Sequence, residues 1–263
     1  MEQDGFRGKV AIVTGSASGI GAAVATGLAR RGARVIVNYA KSEAEAKAVA
    51  DSIRSEGGTV EVVQGDVASD ADCRRIADAA LESWGRIDIL VNNAGTTKFA
   101  NHEKLDALSA DDFLSIYAVN VVGPYQMIRA VEPAMRKTGA GAIVNISSIA
   151  GITGIGSSIA YAASKGALNT MTLSLARVLA PEIRINAICP GYVATRWFTG
   201  RFGQETTDRI SQDQMAQTPL KRAGQAEDIA DAVFFFCGTA SRNITGEMLL
   251  VDAGMHLALP RGR

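Results

Sequence analysis

Cysteine and histidine are scarce in this chain. The 263 residues include three cysteines and two histidines. Cys73, Cys189 and Cys237 are odd in number, far apart and in no CxxC pair, so we expect reduced core thiols rather than a disulfide framework. His102 and His256 have no partner at metal-ligand spacing. These scarcities argue against a metal site and favour a cytoplasmic protein.

The sequence also has no excess charge of either sign and no long apolar run. Lys and Arg total 27, and Asp and Glu total 27, which gives no electrostatic case for binding nucleic acid or an anionic membrane. No apolar segment reaches the ~18 residues of a membrane span. The first residues are not a basic stretch followed by an apolar run, so we expect no signal peptide. Neither nucleic acid nor a membrane is an expected partner.

The chain is organised around the sequence KVAIVTGSASGIG at residues 9–21. Its apolar, β-branched run predicts a strand buried on both faces, and a helical pattern follows the glycines. A strand, a glycine turn and a helix together point backbone N–H groups at a phosphate. Gly15 permits the tight turn, Gly19 lets a pyrophosphate approach the backbone, and Gly21 lets helix and strand pack closely. The spacing is GxxxGxG, which differs from the GxGxxG of ordinary dinucleotide folds.

Strand and helix patterns alternate along the rest of the chain. The later predicted strands are 34–38, 59–64, 87–91, 142–146, 184–188 and 248–251. The later predicted helices are 42–56, 71–84, 110–135 with a bend at Pro124, 160–179 and 227–237. Alternating βα units imply a parallel sheet with right-handed crossovers. We predict one Rossmann-type, doubly wound α/β domain over residues 1–263, with seven strands in the order 3-2-1-4-5-6-7 and helices on both faces.

Small, polar and glycine residues gather where the predicted strands end. Ligands of doubly wound sheets bind beyond the carboxyl ends of the strands, at the point where the strand order reverses. The residues at these ends are Thr14-Gly15, Asn38-Tyr39, Asp66-Val67, 92–95, 147–148 and Pro190-Gly191. A purely structural sheet does not need such residues at six ends together, so we expect a ligand along this edge.

Six motifs together resemble those of the short-chain dehydrogenase/reductase family. They are TGSASGIG at 14–21, NNAG at 92–95, Asn120, Ser148, YAASK at 161–165 and Pro190-Gly191. The resemblance runs from about residue 6 to residue 254, with the motifs in the family's order and spacing. It implies an NAD(P)-dependent oxidoreductase that transfers a hydride reversibly between a nicotinamide cofactor and a small-molecule carbonyl or secondary alcohol.

The expected catalytic residues are Asn120, Ser148, Tyr161 and Lys165. Tyr161 and Lys165 are four apart on one predicted helix, so their side chains face the same way. A nearby ammonium lowers the pKa of a phenol, and Tyr161 then gives or takes the proton of the substrate oxygen. Ser148 holds that oxygen, or else caps a helix. The resemblance gives Asn120 a proton-relay water and gives Lys165 a second role on the nicotinamide ribose; Asn120 could instead be satisfied by its own backbone.

The resemblance also implies cofactor contacts along the strand ends. Asp66 and Val67 would meet the adenine, although Asp66 could instead cap the next helix. Asn92 could be more structural than ligand-binding, and Thr195 would bond the carboxamide. The expected cofactor-binding residues are Gly15, Ser16, Ser18, Gly19, Ile20, Gly21, Tyr39, Lys41, Ser42, Asp66, Val67, Asn92, Ala94, Gly95, Tyr161, Lys165, Pro190, Gly191, Val193 and Thr195.

The end of the second strand favours NADP(H) over NAD(H). NAD-binding relatives usually carry an acidic residue there for the adenosine ribose, whereas this chain has Tyr39. Lys41 and Ser42 follow, and a cation suits a 2′-phosphate. Ser18 stands where many NADP-binding relatives carry arginine, and Lys41 as a solvated surface residue is the alternative.

A substrate lid is expected at about 194–219, after the sixth strand. Trp197, Phe198 and Phe202 would wall a partly apolar substrate, or instead form the core of a small helix.

Two other functions stay open. One is a 3-oxoacyl-[acyl-carrier-protein] reductase, which the turn Ala180-Pro181-Glu182-Ile183 disfavours because carrier-protein enzymes tend to be basic there, although Arg136 and Lys137 could add to a basic patch. The other is a non-catalytic nucleotide-binding regulator, against which the presence of Tyr161 and Lys165 argues.

Two apolar surfaces predict a homotetramer. The helices near 110–135 and at 160–179 carry apolar and small residues beyond what the sheet can cover: Val119, Val122, Met127 and Val131 on the first, and Ala163, Ala167, Thr170, Met171 and Ser174 on the second. Residues 248–250 and 257–259 form the second apolar surface. Two different two-fold interfaces close as a tetramer.

Overall fold

The computed structural model of the chain describes residues 5–257. Seven parallel strands form one sheet in the order β3-β2-β1-β4-β5-β6-β7, which confirms the predicted topology. The strands are β1 (Val10–Val13), β2 (Arg34–Tyr39), β3 (Thr59–Gln64), β4 (Ile89–Asn92), β5 (Gly141–Ile146), β6 (Ile183–Pro190) and β7 (Met248–Val251). The order reverses between β1 and β4, so their carboxyl ends flank the crevice where a ligand is expected.

Helices cover both faces of the sheet because each buried strand sends alternate side chains to opposite faces. They are α1 (Gly19–Arg30), α2 (Glu43–Ser55), α3 (Asp70–Trp84), α4 (Ala110–Tyr117), α5 (Gly123–Thr138), α6 (Ala150–Thr153), α7 (Ile159–Leu179), α8 (Arg196–Gln217) and α9 (Ala226–Cys237). Ala11 and Val13 of β1 pack in the layer with α1 and α9. Val10 and Ile12 pack in the layer with α3, α5 and α7.

The predicted helix over 110–135 is divided into three parts. A π-helical segment, Ala118–Val122, separates α4 from α5. Pro124 lies in the first turn of α5, where its missing N–H needs no partner, so it starts a helix rather than bending one. The expected bend at Pro124 is therefore wrong, and the irregularity falls one turn earlier, around Asn120.

A buried carboxylate joins the amino ends of two central strands, at the end of the sheet opposite the expected site. The side chain of Asp88 is 1% exposed and accepts hydrogen bonds from the N–H of Val10 (2.9 Å), from Arg86 (2.6 and 2.9 Å) and from Lys9 (3.2 Å). Burial raises the pKa of this carboxyl, but the bonds from Arg86, Val10 and Lys9 outweigh it, so the net pKa is lowered. Asp88 thus holds the start of β1 beside the start of β4.

The surfaces expected to drive assembly are only partly exposed. Met127 and Val131 are fully buried in the core, so their assignment to an interface is wrong. Val122, which was also expected on this surface, is exposed, and so are Tyr125, Leu173 and Val178 on or beside α5 and α7. Leu257 is 67% exposed, while Ala258 and Leu259 lie outside the described residues.

Among residues 5–257, no helix is both long enough and apolar enough to cross a membrane.

Candidate active site

One cleft of about 1660 Å³ runs along the carboxyl edge of the sheet. Its lining brings together seventeen of the twenty expected cofactor residues with Ser148. These are Gly15, Ser18, Gly19, Ile20, Tyr39, Lys41, Ser42, Asp66, Val67, Ala94, Gly95, Tyr161, Lys165, Pro190, Gly191, Val193 and Thr195. The cleft is large enough for a cofactor and a substrate together.

The other three expected cofactor residues, Ser16, Gly21 and Asn92, lie behind the residues that line the cleft. The hydroxyl of Ser16 is buried and donates to the carbonyl of Val13 at 2.7 Å. A Cβ on Gly21 would lie 2.5 Å from Nδ2 of Asn93, so this glycine allows close packing of α1. Asn92 is buried and bonds Asn145 at 2.9 Å, as the structural alternative expects. All three shape the cleft from beneath.

The glycine turn leaves the start of α1 open toward the cleft. Gly15 has φ +61°, and a Cβ there would lie 2.9 Å from Cα of Ala94, so a side chain is excluded twice over. Ser18 is the N-cap residue, yet its side chain makes no capping bond. The first-turn N–H groups of α1 therefore have no side-chain acceptor and face the lining formed by Gly19 and Ile20.

Two asparagines outside the expected site set hold the strand ends in place. The side chain of Asn38 accepts from the N–H of Gly15 at 3.1 Å and donates to the carbonyls of Val63 and Gly65. The amide of Asn93 donates to the carbonyls of Thr14 and Gly15, each at 2.9 Å. The available sequence signal for Asn38 was its place directly after a β-branched run, and for Asn93 its place in the NNAG motif.

Tyr161 and Ser148 meet at the carboxyl end of β5. Ser148 Oγ accepts from the N–H of Ala150 at 3.1 Å, as in the capping alternative, and its hydroxyl also forms a hydrogen bond with Tyr161. Burial raises the pKa of Tyr161 to about 12, and the hydrogen bond with Ser148 opposes this only in part. The net shift of this pKa is upward, opposite in direction to the lowering expected from the neighbouring ammonium of Lys165, and desolvation is its largest cause.

Lys165 is buried with few acceptors. Its side chain lies beside the ring of Tyr161, with Nζ 5.7 Å from the ring centroid. Nζ donates to the carbonyl of Ile146 at 2.8 Å, which is the one acceptor of this ammonium among residues 5–257. Burial lowers the pKa of Lys165 to about 8. The other two N–H groups of the Lys165 ammonium can therefore donate to a ligand in the cleft.

Asn120 holds the loop that follows β4. Its Oδ1 accepts from the N–H of Thr96 at 2.8 Å, and Nδ2 donates to the carbonyl of Thr96 at 2.9 Å and to Ser164 Oγ at 3.0 Å. The expectation that its own backbone satisfies Asn120 is therefore wrong. The π-helical segment turns this side chain inward, where it supports Gly95 beside Lys165.

The end of the cleft where the adenosine is expected contains an acid and two cations. Asp66 accepts from the N–H of Ala68, whereas Ser69 is the N-cap of α3, so the capping alternative for Asp66 is wrong. Lys41 is exposed and has no ion-pair partner within residues 5–257. Arg196, at the first residue of α8, pairs with Glu45 of α2 at 2.8 Å and so bridges the cleft.

Aromatic rings wall the substrate end. The segment expected as a lid forms α8, which is broken at Gly203. Trp197 lies 6.0 Å from the ring of Tyr161, while Phe202 lies 5.0 Å and Phe198 6.3 Å from Phe99. All four rings of Trp197, Phe198, Phe202 and Phe99 line the cleft, which favours the substrate-wall reading over a helix core.

The residues present fit a dinucleotide. The uncapped start of α1 suits a pyrophosphate, the two unsatisfied N–H directions of Lys165 suit ribose hydroxyls, and Asp66 and Val67 border the space left for a base. The geometry defines a class: a doubly wound, dinucleotide-dependent enzyme with a tyrosine and a lysine at its reacting end.

Comparison with known proteins gives the family. The sequence profile described as enoyl-(acyl carrier protein) reductase matches residues 15–256. A Streptomyces violaceoruber protein described as a ketoacyl reductase of the granaticin polyketide synthase is 40% identical, with 98% of this chain and 100% of the relative aligned. A Clostridium sardiniense 7alpha-hydroxysteroid dehydrogenase is 38% identical, over 97% of this chain and 96% of the relative.

A solved structure agrees with these relatives. A protein from Burkholderia xenovorans, described as a short-chain dehydrogenase/reductase, superposes with a TM-score of 0.88 at 39% identity and covers 95% of this chain and 98% of its own. This chain belongs to the short-chain dehydrogenase/reductase family. It is an NAD(P)-dependent oxidoreductase, which confirms the expected reaction class.

Proposed function

We propose that the chain reduces a carbonyl group on a largely apolar small molecule, and oxidises the corresponding secondary alcohol in reverse. The observation that carries this proposal is the meeting of Tyr161, Ser148 and Lys165 at one end of a cleft walled by aromatic rings. Relatives named as a ketoacyl reductase and a hydroxysteroid dehydrogenase support it, because both names specify oxygen chemistry on an apolar skeleton.

In this proposal Tyr161 is the proton donor. With a pKa of about 12 the phenol is protonated at neutral pH and can give its proton to the substrate oxygen. Ser148 holds that oxygen through its O–H, and Lys165 binds the ribose. When bound, the nicotinamide supplies or accepts the hydride. Trp197 shields the phenol from water, and Asn120 keeps the loop at Gly95 in position.

The cofactor in this proposal is NADP(H). Lys41 supports it as an unpaired cation on the adenosine side, at a strand end that offers Tyr39 in place of an acid.

We also propose a homotetramer, supported by the exposed apolar residues on α5 and α7. The free thiols of Cys73, Cys189 and Cys237 support a cytoplasmic location.

The test is oxidation of NADPH by purified protein with a panel of cyclic and aryl ketones. Tyr161→Phe keeps the ring but removes the proton, so turnover should fall by ~10²-fold or more while NADPH still binds, as measured by fluorescence titration. Near-normal turnover in this variant would refute the role of Tyr161. Binding without turnover on any ketone would favour a nucleotide-binding regulator.

A second candidate is reduction of 3-oxoacyl groups on acyl carrier protein, favoured by a Synechocystis relative of that name at 35% identity. The basic patch that this role needs is weak, because Arg136 is paired with both Glu132 and Glu182. Activity on a carrier-linked substrate that far exceeds activity on its free thioester analogue would support the carrier-protein role instead.

A further inference from the structure

A histidine–carboxylate pair lies just after β7, at the same edge of the sheet as the active site. His256 Nδ1 is 2.8 Å from Oδ2 of Asp252, and the backbone N–H of His256 donates to the same oxygen at 2.8 Å. Oδ1 of Asp252 accepts from the N–H of Gly254 at 3.0 Å. The side chain of Asp252 is 3% exposed and that of His256 is 34% exposed. A buried carboxylate thus fixes the imidazole in one orientation.

The imidazole of this pair faces the same cleft as the expected catalytic residues. His256 and Met255 line the cleft. Asp252 packs directly against Gly191, where a Cβ would lie 2.7 Å from Cβ of Asp252. The next residue, Tyr192, packs against Phe198 of the aromatic wall, with ring centroids 4.7 Å apart and the rings tilted by 51°. The carboxylate that holds the imidazole therefore packs against the residue that follows β6, and the imidazole lines the same cleft as the aromatic wall.

The free nitrogen of His256 has no competitor nearby. Nε2 makes no hydrogen bond within residues 5–257, and the side chains that α8 adds to the lining near its end, Gln214 and Gln217, are neutral. In the loop after α8, Lys221 donates to the carbonyl of Ala216 at 3.0 Å, and Arg222 is paired with Asp228 at 2.7 Å. Asp252 is thus the one carboxylate within ion-pair distance of His256 among these residues.

We propose that His256 is a substrate-binding residue that takes a carboxylate carried by the substrate away from its reacting carbonyl. The inference rests on the proposed function and specifies its substrate as an oxo acid with an apolar body. Asp252 occupies Nδ1, so protonation places an N–H donor and a positive charge at Nε2, where an anion gains a charge-assisted hydrogen bond. The aromatic wall takes the apolar body between the two ends.

Binding is measured by NMR on the NADP⁺-bound protein, using the Hε1 signals of its two histidines. The probes are para-acetylbenzoate and its neutral isostere para-acetylbenzamide. The acid should shift the His256 signal and leave the His102 signal in place, whereas the amide should shift neither. His256→Gln should weaken binding of the acid by about tenfold and leave binding of the amide unchanged. His102→Gln is the matched control and should alter neither affinity.

Equal binding of acid and amide, or an acid affinity that His256→Gln leaves intact, would overturn the proposal. Because binding needs no hydride transfer, the two proposals fail separately: a protein that binds the acid through His256 but reduces no ketone contradicts the proposed function alone.

Discussion

At the scale of single residues, burial of the Lys165 ammonium lowers the stability of the folded protein. Lys165 is buried and has one acceptor, and burial lowers its pKa to about 8 from 10.5. The unfolded chain therefore binds more protons than the folded chain between about pH 8 and 10.5, so folding stability gains from Lys165 as pH rises through this range. At neutral pH the full desolvation cost is present.

Lys165→Met should accordingly stabilise the cofactor-free protein at pH 7 by about 2 kcal/mol, after allowance for the lost bond to Ile146. The free energy of unfolding is measured by urea titration at about pH 7 and about pH 10. The stability advantage over the wild type should shrink at the higher pH. Lys137→Met, on the surface, is the control. A difference that is the same at both pH values would show that the charge of Lys165 is not its source.

The protonation of Tyr161 predicts opposite pH responses in the two directions of the reaction. A phenol with a pKa of about 12 is already protonated for carbonyl reduction, whereas alcohol oxidation needs the phenolate. Oxidation rates at saturating cofactor should rise with pH over about 7 to 10, while reduction rates stay level or fall. Initial rates in both directions on one ketone–alcohol pair are the measurement. Parallel profiles would contradict the assignment of Tyr161.

Cofactor choice is also set at the scale of one residue. Lys41→Glu places a negative charge where the 2′-phosphate is proposed to lie, so the dissociation constant of NADPH should rise ~10-fold or more relative to that of NADH. Arg196→Gln serves as a matched removal of positive charge, because Arg196 is already paired with Glu45. If Lys41→Glu leaves the ratio of the two constants unmoved, Lys41 is not a phosphate ligand.

At the scale of elements, the two edges of the sheet serve different purposes. The carboxyl edge carries the cleft, while the opposite edge is held by Asp88, which joins β1 to the start of β4. Its pKa is lowered, because the bonds from Arg86, Val10 and Lys9 outweigh the effect of burial. The stability that this carboxylate adds is complete above its unfolded pKa and is lost as pH falls through the lower, folded value.

Asp88→Asn should therefore destabilise the fold by about 2 kcal/mol at neutral pH, because Arg86 and Lys9 lose the charge they share. KM for cofactor and ketone should stay unchanged, since the cleft lies at the other edge. Thermal unfolding and steady-state kinetics on one preparation measure both effects. Asp51→Asn, which removes an exposed ion pair with Arg54, is expected to cost little. A changed KM with unchanged stability would contradict this division between the two edges.

At the scale of the whole molecule, apolar side chains on two surfaces remain to be covered. Val122, Tyr125 and Val178 are exposed on or beside α5 and α7, and Leu257 is exposed beyond β7. Such residues on a single chain mark interfaces when they form a patch. We expect a homotetramer closed by two kinds of two-fold contact.

Light scattering at micromolar protein should give about four times the 27.5 kDa of one chain. Val178→Asp and Leu257→Asp, made separately, should each leave a dimer, because each disrupts one surface. A mass near that of one chain for the wild type would rule the tetramer out. If the wild type is a dimer and only one of these variants is a monomer, only the surface changed in that variant is an interface.

The sequence alone determined the sheet order, the family and the side chains at the strand ends. These follow from signals that are local in sequence: β-branched runs, glycine turns, and short motifs in a characteristic order along the chain. The i and i+4 placement of Tyr161 and Lys165 needs no tertiary information. The long helix near 110–135 was less well predicted, because the π-helical turn at Asn120 is stabilised by Thr96 and Ser164, from elsewhere in the chain.

Only the tertiary structure decided what depends on distance between remote segments. Burial sets the direction of the Tyr161 pKa, and burial is the sum of packing by many segments. Phe99 faces Phe202 because the loop after β4 and the broken helix α8 cross the same cleft. His256 gains a chemical role only because the carboxyl ends of β6 and β7 adjoin, which brings Asp252 against Gly191. Long-range contacts of this kind leave no periodic trace in the sequence, since they arise only when the sheet is assembled.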